Sequence, residues 1–362
     1  MPTPIRQLSL LATVLLVGAC ASQQTRAPQR SPAEVRSQLV LLLPDGVSDR
    51  NGWARDIQMA FDSLGLETDK SHLCAAIAVI AQESSFEADP VVPGLARIAR
   101  REIMRRAHAH HVPEFVVRAA LQLKSPDGRS YDQRLSSVHT ENQLSRIFED
   151  LIGSVPLGRR LFGDSNPVQT GGPMQVSIDW AERSEVRKHY PWPIESSVRR
   201  AVFTRRGGVY FGIANLLDYP VSYRFMRFRF ADYNAGRYAS RNAAFQQAVA
   251  ILSGRILALD GDLLRPDGKP GATEQAVVRL AAALQLGPDA IHAALAQGDS
   301  LAFEDTALYR KVFALADRKA GKALARAMEP QIRLHSPKIS RRLTTAWFAR
   351  RVDTRYRDCL RR

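Results

Sequence analysis

Cysteine is scarce in this sequence. The 362 residues contain three cysteines, too few for a small disulfide-bonded scaffold, and none has the spacing of a zinc site. A phosphate-binding loop, a dinucleotide fingerprint and a Gly-x-Ser-x-Gly nucleophile motif are also absent. The sequence therefore gives no support to a nucleotide-dependent enzyme or an α/β-hydrolase, and no cofactor is implied.

Acidic residues are also few, since 36 Asp and Glu stand against 51 Lys and Arg and leave a formal net charge of +15. Such an excess predicts an anionic partner: nucleic acid, a membrane surface or an acidic polymer. The hydrophobic content of 45% is ordinary for a globular protein and excludes a wholly disordered chain.

The N-terminus favours a membrane surface or an acidic polymer over nucleic acid as the partner. Residues 1–19 contain Arg6 and an apolar stretch from Leu8 to Ala19, which is too short for a transmembrane helix but suits a secretion signal. The sequence Val-Gly-Ala-Cys that ends at Cys20 resembles the lipobox of bacterial lipoproteins, which implies acylation of Cys20. We therefore expect an outer-membrane lipoprotein that faces the oxidising periplasm, so nucleic acid is not expected as a partner. An ordinary signal with an incidental cysteine is the alternative.

Most of the remaining sequence predicts helices. Residues 20–33 are polar and indicate a flexible tether. Apolar residues then recur at spacings of three and four in nine segments: Glu34–Leu43, Trp53–Leu64, His72–Ser84, Glu141–Ile152, Ser197–Leu217, Arg241–Leu257, Glu274–Leu284, Leu308–Met328 and Ile339–Arg357. The clearest strand-like alternation of polar and apolar residues is in Arg224–Phe230, and this segment is isolated among predicted helices. The predicted fold class is all-α.

The segment His72–Ser84 predicts a central buried helix, because it is apolar on nearly every face until it reaches Glu83. A carboxyl group at the end of such a helix is partly desolvated and lies near the negative end of the helix dipole. Both effects raise the pKa of a carboxyl group. A carboxylic acid that stays protonated near neutral pH can protonate the leaving oxygen of a glycosidic bond. Glu83 is thus a candidate catalytic acid; the alternative is a glutamate that simply points to water.

Four motifs resemble those of lytic transglycosylases with a lysozyme-like fold. They are Ala-Gln-Glu-Ser-Ser-Phe at 81–86, Gly-Gly-Pro-Met-Gln-Val at 171–176, Gly-Gly-Val-Tyr-Phe at 207–211 and Ala-Asp-Tyr-Asn-Ala-Gly at 231–236. They follow the order of that family. The resemblance covers roughly residues 70–255 and departs from the family in a long insert near residues 90–168 and in Pro173, where the family usually has another apolar residue.

The resemblance implies that the chain cleaves the bond between N-acetylmuramic acid and N-acetylglucosamine in peptidoglycan glycan strands, leaving 1,6-anhydro-muramoyl ends. Glu83 would act as acid and then as base, with no second catalytic carboxylate. The sugar would be bound by Ser84, Met174, Gln175, Tyr210, Tyr233 and Asn234. For the two tyrosines, core packing is an open alternative. A hydrolytic muramidase and a catalytically silent peptidoglycan-binding lipoprotein that serves a cell-wall or secretion complex are the alternative functions.

The expected organisation is a lysozyme-like catalytic domain at residues 34–257, with a helical insert, followed by a helical extension of unknown role at residues 258–362. After acylation of Cys20, the remaining thiols are Cys74 and Cys359. Because an exposed free thiol in the periplasm is vulnerable to oxidation, we expect these two to form a disulfide that links the C-terminal helix to the helix ending at Glu83. The alternative is an inert buried thiol at Cys74 and an unpaired exposed one at Cys359.

A histidine group, His108, His110 and His111, offers metal-ligand atoms, but no carboxylate or cysteine lies nearby at ligand spacing. We interpret it as a solvated helix end, and no metal is expected.

Overall fold

The computed structural model describes residues 30–154, 166–334 and 343–362. The predicted signal peptide and lipidation site Cys20 lie outside the described residues, as does most of the predicted tether. Within the described ranges, no helix is both long enough and apolar enough to cross a membrane.

The described residues form 17 α-helices and one two-stranded sheet, which confirms the all-α prediction. The helices of the first half are α1 Pro32–Leu42, α2 Arg50–Leu64, α3 Lys70–Glu83, α4 Leu95–Ala109, α5 Glu114–Gln122, α6 Tyr131–Ser136, α7 Glu141–Ser154, α8 Ile178–Arg183, α9 Val198–Val202, α10 Arg205–Leu217 and α11 Met226–Ala235. Those of the second half are α12 Ala239–Ser253, α13 Ala272–Val278, α14 Ala281–Leu284, α15 Pro288–Leu295, α16 Ala307–Ala320 and α17 Thr345–Arg361. Strands β1 Thr170–Gly171 and β2 Val176–Ser177 pair antiparallel, and 3-10 helices occupy Glu185–His189 and Leu301–Asp305.

Helix boundaries follow local chemistry. Ser31 begins α1 with a capping box, since its hydroxyl accepts from the Glu34 backbone while the Glu34 carboxylate accepts from the Ser31 backbone. Gly321, with φ +66°, ends α16 at Ala320 rather than at the predicted Met328. The alternating segment Arg224–Phe230 is mostly helical, because Met226 onwards lies in α11. There, Phe225 and Phe228 pack edge to face at a spacing of three.

Two clusters of buried side chains divide the molecule. The first core draws its buried residues from Val35 to Ala231 and again from α17. The second core draws them from Ala244 to Ala316, with Leu324 and Met328 packed against it. The structure thus differs from the predicted boundary at residue 257: α12 already belongs to the second core, because Phe245, Ala248 and Val249 face it.

The C-terminal helix returns to the first core. Helix α17 packs against α3 and α11, and Cys74 and Cys359 form the disulfide that the sequence predicts, across a sequence separation of 285. Residues 258–362 are therefore not one extension, since the chain enters the second core and then comes back.

Candidate functional site

Glu83 is the last residue of α3, a helix whose residues Leu73 to Ile80 are all buried. Asp69 begins the helix by accepting from the Ser71 and His72 backbones. The Glu83 side chain is half-buried. Ser84, expected to contact substrate, is buried and donates its hydroxyl hydrogen to the Ile80 carbonyl at 3.2 Å. Its hydroxyl therefore helps to end the helix.

The turn after Glu83 is strained. Ser85 and Phe86 both have positive φ, at 52° and 66°, a region that costs a non-glycine residue about 1–3 kcal/mol. Phe86 is nonetheless 5% exposed and packs edge to face against Trp53 with ring centroids 5.3 Å apart. Burial of this ring offsets the backbone strain and fixes the chain where it leaves Glu83.

The second motif forms the tight loop between β1 and β2. Gly172 has φ +71° and lies so close to the Val202 carbonyl that a Cβ atom would overlap it, so only glycine fits there. Met174 is fully buried, and a Cβ on Gly212 of α10 would lie 2.5 Å from its sulfur. Helix α10, which contains the third motif, thus supplies the surface on which this loop packs, with Gly208 against Pro173 and Gly212 against Met174.

Tyr233 of α11 bonds to the loop and lies within reach of the charge of Glu83. Its hydroxyl donates to the Met174 carbonyl at 2.7 Å. Burial, and then the negative charge of Glu83, raise the pKa of the Tyr233 phenol well above its usual value, so the phenol stays neutral. Since the pKa of Tyr233 depends on Glu83, the two groups lie within electrostatic range. The structure brings together motifs that the long insert separates in sequence.

Two further predicted site residues lie at this surface. Gln175 has φ +50°, accepts from the Thr170 hydroxyl at 3.1 Å and donates to the Gly172 carbonyl at 3.3 Å, so its amide stabilises the loop. Asn234 is exposed and accepts from the Thr345 hydroxyl of α17 at 2.8 Å.

Tyr210 and Met174 have no exposed surface, contrary to the expectation that they contact sugar. The Tyr210 hydroxyl donates to the Val186 carbonyl at 2.6 Å, and its ring packs edge to face on Tyr190 and Phe211. This is the core-packing alternative.

The other carboxylates of the motifs have structural partners or point outward. Asp89 accepts from the Thr140 hydroxyl at 2.9 Å, which ties the insert to the segment just after the first motif. Asp232 is 1% exposed and accepts from the backbones of Tyr238 and Ser240; burial raises its pKa to about 6. Glu87 is exposed.

Sequence reasoning missed the contribution of α17 to this site, apart from the disulfide. Besides the Thr345–Asn234 hydrogen bond, the Tyr356 hydroxyl lies 2.7 Å from the Ser71 hydroxyl, and its ring packs on Phe230. The C-terminal helix therefore braces both α3 and α11, the helices that carry Glu83 and Tyr233. Its strongly amphipathic pattern signalled a buried face but not the surface it covers.

Metal-ligand atoms come together at one place in the described part of the chain, where Glu67, Asp69 and His72 meet near the start of α3. All three are at least partly exposed, and Asp69 already caps the helix and binds His72. The predicted solvated group of His108, His110 and His111 is exposed around the end of α4.

Comparisons with known proteins point to one family. The model of a family described as "Protein of unknown function (DUF1615)" matches residues 46–362. A curated protein of Escherichia coli strain K12, "Uncharacterized protein YaiW", is 53% identical over 364 residues, which cover 99% of this chain and 98% of the relative. No solved structure matches the chain.

Proposed function

We propose that this chain, which belongs to the DUF1615 family, is a lytic transglycosylase that cleaves the glycan strands of peptidoglycan. The observation that carries the proposal is that the charge of Glu83 reaches Tyr233, whose hydroxyl donates to the Met174 carbonyl on the glycine-packed loop. A half-buried carboxyl group within electrostatic range of a neutral phenol, which is itself bonded to a tight loop, suits proton transfer to a neutral sugar.

In the proposed reaction, the protonated Glu83 carboxyl donates its proton to the glycosidic oxygen between N-acetylmuramic acid and N-acetylglucosamine. The C1–O bond breaks, and the neighbouring 2-acetamido carbonyl stabilises the positive charge on the anomeric carbon. The Glu83 carboxylate then takes the proton of the muramoyl 6-hydroxyl, whose oxygen bonds to the anomeric carbon. The products are a 1,6-anhydro end and a free 4-hydroxyl, and Glu83 is protonated again.

The surrounding carboxylates support a single acid–base residue. Asp89 and Asp232 spend their oxygens on the Thr140 hydroxyl and on backbone N–H groups, and Glu87 is exposed. We therefore assign none of the three as a second catalytic carboxylate, the group that a retaining or an inverting glycosidase would need.

The test is digestion of purified sacculi, with the released muropeptides weighed by mass spectrometry. We expect anhydro ends, and we expect Glu83→Gln to lower their release by at least about 100-fold, since the acid–base group is removed. The matched control is Glu87→Gln, which neutralises an exposed carboxylate in the same loop and should leave the rate within about twofold.

The other products contradict the proposal in distinct ways. Hydrated reducing ends would show a muramidase, and binding without cleavage would show a silent peptidoglycan-binding protein. Release of anhydro ends by the Gln variant at the wild-type rate would remove Glu83 from the mechanism.

We further propose that the protein is anchored to the outer membrane by acyl chains on Cys20 and faces the periplasm. Two or more acyl chains are sufficient for stable anchoring. Cys20→Ser should move the protein from the membrane fraction to the soluble periplasmic or unprocessed pool and abolish labelling by radioactive palmitate. An unchanged membrane pool would exclude the lipid anchor.

A further inference from the structure

A cavity of about 340 Å³ lies between α17, the C-terminal end of α3 and the segment that precedes α2. Its apolar wall includes Ile77, Ala78 and Phe86. At about 100° per residue, Glu83 lies about 200° around the helix axis from Ala81, which also lines the cavity. The cavity therefore opens on the face of α3 opposite to Glu83 and is separate from the site described above.

The cavity is lined by a partly exposed cation, Arg355, that lacks a full set of partners. Arg355 of α17 lines it, and the Nε atom of Arg355 is buried with no hydrogen-bond partner among the described residues. Burial and then the neighbouring positive charge of Arg351 lower the pKa of Arg355. A buried donor left unsatisfied is costly, more so when it is charged. An anion in the cavity would relieve this cost.

The acidic residues at the rim are already directed to other cations. Asp358 binds Arg361, and Asp45 lies 3.4 Å from Arg50. Asp358 also exerts a weaker attraction on Arg355, but no ion pair joins them in the described structure. The positive charge of Arg355 is thus only partly compensated from within the chain.

Two further polar groups complete the lining. Arg362 contributes its side chain, one nitrogen of which donates to the Leu42 carbonyl at 2.7 Å. Ser85 is exposed and supplies a hydroxyl. Apolar walls with a few polar groups that include a guanidinium are typical of sites that bind a carboxylate on a small apolar group.

We propose that this cavity binds the terminal carboxylate of a short peptide that ends in alanine, with Arg355 as the principal partner of the carboxylate. The volume accommodates a dipeptide, and the alanine methyl groups would contact Ile77 and Phe86. The stem peptides of peptidoglycan are the source of such ends, and this assignment rests on the proposed function. An occupant would also contact Ser85 and Phe86, the strained turn that follows Glu83.

The test is calorimetric titration of the full chain carrying Glu83→Gln, which removes cleavage from the measurement. D-alanyl-D-alanine is the probe, and its C-terminal amide is the matched ligand without a carboxylate. We expect saturable binding of the acid and at least about tenfold weaker binding of the amide, because a charge-assisted hydrogen bond is lost.

Variants of α17 assign the binding to this cavity. Arg355→Gln should weaken binding of the dipeptide at least about tenfold, whereas Arg351→Gln, which removes an exposed charge one turn earlier, should change it less than about threefold. Asp358→Asn should tighten binding, since it removes a competing negative charge. This gain cannot result from misfolding, so the proposal stays testable even if Arg355→Gln is unstable.

Several results would overturn the proposal. The first is that the dipeptide shows no saturable binding, and the second is that its amide binds equally well. The third is that neither Arg355→Gln nor Asp358→Asn changes the affinity for the dipeptide. The fourth is that equimolar inorganic phosphate displaces the dipeptide fully, which would indicate a general anion site. Arg355-dependent binding by a chain that cleaves no sacculi would retain the peptide site and refute the catalytic proposal. Cleavage without peptide binding would do the reverse.

Discussion

The first core contains side chains from both ends of the described chain, whereas the second core is built from one continuous stretch. A disulfide between Cys74 and Cys359 cross-links the first core. The second core has no cysteine and is filled by an aromatic group in which Phe245 packs edge to face on Phe303 and Phe313. The first core is thus stabilised in part by a disulfide, and the second core by aromatic packing.

A buried cation lies at the boundary between the two cores. Arg241 of α12 is fully buried, donates to the carbonyls of Gly298 and Ser300, and lies over the Phe303 ring. The first core carries the motif cluster and the strained turn, and a covalent link holds it. The second core contains no predicted site residue, and the buried Arg241 guanidinium donates hydrogen bonds to carbonyls at its boundary. The disulfide therefore lies in the core that carries Glu83, and Cys74 and Glu83 share helix α3.

The positions of the tryptophans allow the two cores to be observed separately. All four tryptophans of the sequence, at positions 53, 180, 192 and 347, lie in or against the first core. Tryptophan fluorescence therefore reports on the first core, and far-UV circular dichroism reports on the helices of both.

The largest expected effect on stability comes from Arg241→Met. The substitution leaves the Ser300 carbonyl and the buried Asn242 amide oxygen without their Arg241 donors, whereas the Gly298 carbonyl keeps the Asn242 amide as a donor. We therefore expect a loss of about 3–5 kcal/mol in the free energy of unfolding. Urea denaturation followed by circular dichroism measures it.

The control for this substitution is Arg318→Met, which removes an exposed arginine from α16 and should change the free energy by less than about 0.5 kcal/mol. We expect the dichroism transition to move further than the fluorescence transition. Equal effects of the two substitutions would mean that Arg241 does not hold the second core together.

The fold was largely predictable from hydrophobic periodicity, because long helices with one buried face repeat that pattern locally. Helix α3 was expected at His72–Ser84 and lies at Lys70–Glu83. The division into cores was not predictable, since the return of α17 to the first core is a long-range packing choice. Cysteine content supplied the one sequence signal of that return, through the pair of Cys74 and Cys359.

For the candidate site, the sequence identified the motifs but could not show which of their side chains are buried in the core. Gly212 signals a close approach, yet no local pattern shows that Met174 fills the space it leaves. Tyr210 and Tyr233 are both tyrosines, and only tertiary packing buries the first in the core and brings the second within range of the charge of Glu83. Arg355 carried no sequence signal, because an amphipathic helix rich in arginine normally keeps them in water.

The next largest effect is expected from removal of the disulfide. In a chain that also carries Cys20→Ser, replacing Cys74 and Cys359 by alanine should lower stability by about 2–5 kcal/mol, because the unfolded chain loses a constraint over a long loop. The fluorescence transition should move to lower urea than the dichroism transition, since the first core loses its cross-link.

Reduction with dithiothreitol provides the matched comparison. It should destabilise the chain with both cysteines by a similar amount and leave the double-alanine chain unchanged. A fluorescence transition that stays in place after loss of both thiols would show that packing of α17 alone holds the first core.

The smallest effect on the free energy of unfolding, on the order of 1–3 kcal/mol, is expected from the ionisation of Asp232. This residue joins the two cores, since it accepts from the backbones of Tyr238 and Ser240 and from the Tyr223 hydroxyl. Burial raises the pKa of Asp232 from 3.8 to about 6, so the folded protein holds this proton more tightly than the unfolded chain. The resulting stabilisation is complete below about pH 4 and is lost as the pH rises through about 6. Stability of the wild type relative to Asp232→Asn should therefore fall across this window. Urea titrations at intervals of half a pH unit measure the difference, and a difference that instead grows with pH would show that the hydrogen bonds to the carboxylate outweigh its burial.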